Sequence, residues 1–99
     1  MTPEELIGKG IENIEKYGHR KGHYGSKEEG FCAIGSMRTV QGIDWKTFHD
    51  ASERMRRAVI TTPGFKLQEA YTDPVPSFND DPATTAEDVI LMMKEAATA

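Results

Sequence analysis

Thr2-Pro3-Glu4-Glu5-Leu6-Ile7-Gly8-Lys9-Gly10-Ile11-Glu12-Asn13-Ile14-Glu15-Lys16-Tyr17-Gly18 carries the start signal, body and stop signal of an amphipathic helix. Thr2 is an N-cap, Pro3 occupies the first helical position, and Glu5 can reach back to the cap. Leu6, Ile7, Ile11, Ile14 and Tyr17 recur at helical spacing until Gly18 ends the run. Gly8 and Gly10 each weaken this helix by about 1 kcal/mol relative to alanine, a cost most simply offset by close approach of a neighbouring helix.

Working outward, Phe31 to Val40 reads as a short apolar helix ending near Gly42. Asp44 then caps a third helix through Trp45, Phe48, Met55 and Val59, with Glu53, Arg54, Arg56 and Arg57 on an exposed face and Thr61-Thr62-Pro63-Gly64 as its break. At the far end, Pro82-Ala83-Thr84-Thr85 supplies cap hydroxyls, and Glu87 and Asp88 complement the helix dipole. The stripe Ala86, Val89, Ile90, Met93 and Ala97 completes the last helix. Between them, Pro74, Pro76 and Pro82 remove backbone donors, so residues 65–83 read as an extended wrapping segment. Periodicity leaves Phe65 to Tyr71 open between a helical turn and a short strand. The expected fold is mainly α: a single domain over residues 1–99, built as a small bundle of about four helices with a long proline-containing loop before the last.

Ninety-nine residues with 37% hydrophobic side chains can bury one modest core, which oligomerisation would reinforce. A charged fraction of 28% and a mean hydropathy of -0.57 leave no membrane-length apolar run and no secretory signal, so a cytoplasmic protein is expected. One cysteine cannot form an internal disulfide. The net charge of -4 is unevenly spread: eleven bases face nine acids through Lys66, but one base faces seven acids from residue 67 onward. That polarity argues against duplex nucleic acid as a partner and for local anion contacts at most.

The candidate site is the basic, glycine-rich loop Gly18-His19-Arg20-Lys21-Gly22-His23-Tyr24-Gly25-Ser26-Lys27, which runs into Phe31-Cys32-Ala33-Ile34-Gly35. Its spacing matches neither a Walker A loop nor a dinucleotide fingerprint. The chemistry is nonetheless that of an anion cradle. Glycines free backbone N–H groups, Arg20 and Lys21 supply charge, and Tyr24 or Phe31 could stack on a ring, a reading set against that of a solvated connector. If a helix opens at Phe31 to Gly35, its first amides would face the incoming anion.

His19, His23 and Cys32 invite a zinc reading, but the glycines at 18, 22 and 25 hold no two histidines on one helical face, and no metal or cofactor is expected. Cys32 as a nucleophile with His19, His23 or His49 as base is a further reading, set against a small buried hydrophobe among Phe31, Ala33 and Ile34. Phe78-Asn79-Asp80-Asp81-Pro82 reads first as local capping, and second as carboxylates that orient a histidine or take a ligand hydroxyl. Arg54, Arg56 and Arg57 read as a face pairing with acids rather than as a phosphate site.

Cys32-Ala33-Ile34-Gly35-Ser36-Met37, followed by Phe78-Asn79-Asp80-Asp81-Pro82 and Thr85-Ala86-Glu87-Asp88-Val89, resembles small uncharacterised proteins of actinobacteria and their phages. Those proteins carry a Cys-Ala-Leu-Gly-Ala segment and a later Trp-Asn-Asp segment before a terminal helix. This chain has Ile34 for the leucine, Ser36 for the second alanine and Phe78 for the tryptophan. The resemblance implies a mostly helical fold and a phage or actinobacterial setting. It marks Cys32, Asn79 and Asp80 for inspection and gives them no role.

The functional expectation is therefore a non-enzymatic, homo-oligomeric binder of an anionic small molecule, such as a phage-type sponge for a cyclic nucleotide or an ADP-ribose derivative. Arg20, Lys21, His23, Tyr24, Phe31, Cys32, Asn79 and Asp80 are its expected contacts. A host-protein-binding modulator acting through Trp45 and Phe48, or through a surface near Met92 and Met93, is the alternative, and a Cys32-dependent hydrolase the third.

Overall fold

The capping box of the first helix closes as its residues require. Thr2 Oγ1 accepts from the Glu5 amide at 3.2 Å, and Glu5 Oε1 accepts from the Thr2 amide at 3.3 Å. This helix, α1, spans Pro3–Tyr17 in a computed structural model that describes residues 1–61 and 73–98. Leu6, Ile7, Ile11 and Ile14 turn inward, and Gly18 ends the helix with its N–H on the Ile14 carbonyl. The two glycines of α1 differ. A Cβ on Gly10 would lie 2.8 Å from Ser36 Oγ and 3.0 Å from both Met37 and Met93, so its bareness admits two neighbouring helices. Gly8 has nothing within 4 Å and serves no such contact.

Two short strands, β1 (Gly25–Ser26) and β2 (Gly30–Phe31), follow in an antiparallel hairpin that pairs Gly25 with Phe31 and Ser26 with Gly30. They correct the expectation that Phe31 opens a helix. Phe31 donates its N–H to the Gly18 carbonyl and accepts from the Arg20 amide, so it extends as a rung beside the first loop. Helix α2 is accordingly the shorter Ala33–Arg38, followed by α3 at Trp45–Thr61. Asp44 caps α3 as expected, accepting from the Thr47 amide at 2.8 Å and the Thr47 hydroxyl at 2.9 Å. Ala51, Met55, Ala58 and Val59 form its buried stripe, whereas Trp45 stands 78% exposed. Arg54 pairs with Glu4 at 2.7 Å. The expected break after Thr61 and the undecided segment Phe65 to Tyr71 fall outside the described residues.

The expected extended wrapping does not hold from residue 74. Pro74–Asp80 forms a helix, α4, because both prolines lie in its first turn, where backbone N–H groups have no intrahelical partner to lose. Asp73 caps it through the Val75 amide at 3.1 Å. The last helix, α5, runs Ala86–Thr98 and starts on a reciprocal pair in which Thr85 Oγ1 accepts from Asp88 N and Asp88 Oδ2 from Thr85 N.

The resulting fold is mainly α, with a loop before the final helix. Helix α5 packs on α1 and α3, α1 also carries α2, and α4 lies against α2 and α3. Leu6, Ile7, Met37, Met55, Val59, Val89 and Met93 fill the core. Among the described residues no helix is long and apolar enough to cross a membrane.

Candidate functional site

Asn79 joins the two distant polar segments. It sits on the last turn of α4 with 1% of its surface exposed, and it uses every hydrogen-bonding capacity of its amide. Oδ1 accepts from the Ala33 amide at 3.1 Å and from His19 Nε2 at 2.7 Å. Nδ2 donates to the Arg20 carbonyl at 3.0 Å and to Asp80 Oδ1 at 2.8 Å. A backbone N–H can only donate and a carbonyl can only accept, so these partners fix the orientation of the amide and place the His19 proton on Nε2.

This network corrects two expectations. The first amide of α2 is filled by Asn79 rather than open to an anion, and the Asn79 side chain has no capacity left for a guest. Three of the four partners, Ala33, Arg20 and His19, are 46 to 60 residues away in sequence, so Asn79 is not a local cap either.

Around it lies a cleft of about 350 Å³. The first loop supplies Gly22, His23 and Tyr24; the start of α2 supplies Cys32, Ala33 and Ile34; α4 supplies Val75, Pro76, Asn79 and Asp80. Gly35 permits the close fit of loop to helix, because a Cβ there would fall 2.0 Å from the Tyr24 carbonyl oxygen. Asp80 Oδ1 accepts from the Gly22 amide at 2.9 Å as well as from Asn79, which locks the carboxylate at the cleft wall. Its Oδ2 has no protein partner among the described residues.

Five of the eight expected contacts, His23, Tyr24, Cys32, Asn79 and Asp80, line this cleft. Arg20 and Lys21 do not. The Arg20 guanidinium donates from Nη2 to His23 Nε2 at 2.9 Å and lies 3.6 Å from Glu29, while Lys21 Nζ donates to the Asp81 carbonyl. The loop cations thus contact the loop itself and the end of α4. Arginine can only donate, so His23 accepts at Nε2 and carries its proton on Nδ1.

Phe31 is corrected outright. It is 1% exposed and meets Tyr17 edge to face at 5.9 Å, so it has no face to offer a ligand. Tyr24 is 53% exposed, with the Arg38 guanidinium 4.3 Å from its ring centroid.

Cys32 caps α2, its Sγ accepting from the Gly35 amide at 3.2 Å. Burial pushes its thiol above the ordinary range and the nearby Asp80 charge adds to the rise, against the lowering by backbone N–H groups. His49 is exposed on α3, 3.9 Å from Asp50, and borders a different recess. Among the described residues no three His, Cys, Asp or Glu side chains converge on a metal-sized site.

Val75, Pro76, Ala33 and Ile34 were absent from the expected contacts. The available signal was Asp73-Pro74, an N-cap followed by proline at the first helical position, which announces α4 and with it an apolar wall.

No curated protein and no solved structure matches the chain. Its full length, residues 1–99, matches one family, and the chain belongs to that family of unknown function (DUF6197).

Proposed function

We propose that the protein binds a small organic molecule in the cleft between the first loop, α2 and α4, and holds it without converting it. The observation that carries this reading is a preformed recess of about 350 Å³ whose apolar walls enclose a few fixed polar groups, the usual make-up of a small-ligand site. Cys32, Ile34, Val75 and Pro76 offer the apolar contact, and Asp80 and His23 the polar one.

In its fuller form the guest is a phosphate-bearing nucleotide signal, sequestered by a homo-oligomer in the cytoplasm of an actinobacterial or phage-infected cell. The guest's ring would enter the cleft and its phosphate would stay at the rim, beside the loop that carries Arg20, Lys21 and His23. Calorimetric titration with nucleotides and their parent nucleosides, followed by recovery of unchanged ligand after heat denaturation, tests this reading. Binding is expected to disappear in Pro76→Trp, which fills the cleft from an exposed position on α4. Absence of binding across the panel, or binding untouched by Pro76→Trp, rejects it.

A second reading has an observation of its own. Trp45 is 78% exposed, stacks on Phe48 at 5.8 Å, and borders a recess of about 320 Å³ with Arg38, Ile43 and Asp44. An exposed tryptophan beside a recess is the kind of anchor that protein partners use. Loss of a captured host protein on Trp45→Ala would support it, and unchanged capture would reject it. Met92 and Met93 drop out of this reading, being 3% and 0% exposed.

The thiol hydrolase reading has the weakest support. The elevated Cys32 thiol is a poor nucleophile at neutral pH, and the Nε2 atoms of His19 and His23 are engaged by Asn79 and Arg20. Any hydrolysis that Cys32→Ser leaves intact would remove it.

A further inference from the structure

We propose that the cleft selects a planar heterocycle bearing an N–H donor, which the free Oδ2 of Asp80 receives, over a guest that presents negative charge to the same wall. This rests on the cleft being the binding site and names the chemical class it takes.

An ionised carboxylate only accepts, and Asp80 is held for that purpose. Its Oδ1 takes the Gly22 amide and the Asn79 amide at 2.9 and 2.8 Å, so the group cannot swing away, and Oδ2 is left for a guest. Such preorientation lowers the ordering cost of binding.

The charges nearby decide the sign. Lys21 donates to the Asp81 carbonyl and Arg20 to His23 beside Glu29, and neither side chain lines the cleft in which Asp80 stands. A phosphate seated beside Asp80 would meet like charge at close range and be repelled. A neutral or protonated N–H would form a charge-assisted hydrogen bond there. The remaining wall, Ile34, Val75, Pro76 and the protonated Cys32, offers apolar contact and suits the faces of a flat ring.

Two measurements on the full chain test this, with adenosine, cytidine and guanosine as probes and their N-alkylated counterparts as controls. The nucleoside that binds best is expected to lose about tenfold or more in affinity in Asp80→Asn, which turns an acceptor toward donor character, and a comparable factor when its N–H groups are methylated and wild type is used. The second measurement needs no variant, so it stands even if Asp80→Asn loosens the first loop. Equal binding of the methylated ligand to wild type overturns the donor proposal. So does equal binding of the parent nucleoside to a folded Asp80→Asn protein. If Pro76→Trp still abolishes that binding, the cleft reading survives alone. If no nucleoside binds wild type, the donor proposal falls, and the cleft reading falls with it when the nucleotides fail as well; if Pro76→Trp changes nothing, both readings fall.

Discussion

The two ends of this molecule are held by different physics. Where α1, α3 and α5 meet, Leu6, Ile7, Met55, Val59, Val89 and Met93 are fully buried, and the attraction between them has no direction. Where the first loop meets α2 and α4, the joint is one asparagine amide with four partners, plus a glycine whose missing side chain lets two backbones touch. The first arrangement tolerates exchange among apolar residues of similar volume. The second depends on atom identity, because any replacement of Asn79 strands polar partners that water cannot easily reach.

The sharpest way to break this contrast is Asn79→Leu, which keeps the volume and removes the amide. The buried Ala33 amide and the half-buried His19 and Arg20 groups lose their bonds at about 1–3 kcal/mol for the buried one and less for the others, so denaturant unfolding is expected to show a loss of about 3 kcal/mol. A loss below about 1 kcal/mol would mean that water or a shifted loop replaces the amide, and the contrast would dissolve. Gly35→Ala comes next. The added methyl meets the Tyr24 carbonyl, a backbone atom that cannot rotate away, and a loss of about 1–3 kcal/mol is expected, with weaker ligand binding as the loop lifts from α2.

Met93→Leu is the matching change in the apolar core and is expected to cost less than about 1.5 kcal/mol. If it cost as much as Asn79→Leu, shape would matter as much in the core as atom identity does at the joint.

The smallest effect sharpens the comparison at a surface cap. Bonds from the amide and hydroxyl of Thr47 hold the Asp44 carboxyl below its ordinary 3.8. With a depressed folded value, the stabilisation is complete above the unfolded value and is lost as pH falls through the folded one. Asp44→Ser keeps a capping oxygen that does not titrate, so the melting temperature of this variant is expected to fall less steeply than that of wild type between pH 5 and pH 2. Parallel curves would remove Asp44 as a source of acid sensitivity.

These same contrasts separate what could be read in the sequence from what could not. The caps at Thr2, Asp44 and Thr85 are bonds between residues three apart, and the stripes of α1, α3 and α5 follow the helical period, so a linear reading found all three helices. Cys32, Tyr24, His23, Asn79 and Asp80 line one cleft, a contact between distant segments that spacing along the chain does not carry. Their arrangement was not legible. Phe31 looks the same in sequence whether it stacks on a ligand or fills a core, and Arg20 and Lys21 look the same whether they line the cleft or bond outside it.

By itself, then, the order of residues determined α1, α3 and α5, a shorter helix after Phe31, and the mainly α class, but not α4, because capping and periodicity act within a turn or two of chain. Only the tertiary structure decided that Asn79 would reach His19, Arg20 and Ala33, that Arg20 and Lys21 would lie outside the cleft, and that Asp80 would line it beside apolar walls. Those outcomes depend on contacts across 46 to 60 residues, whose geometry is set by how the helices pack and leaves no trace in local spacing.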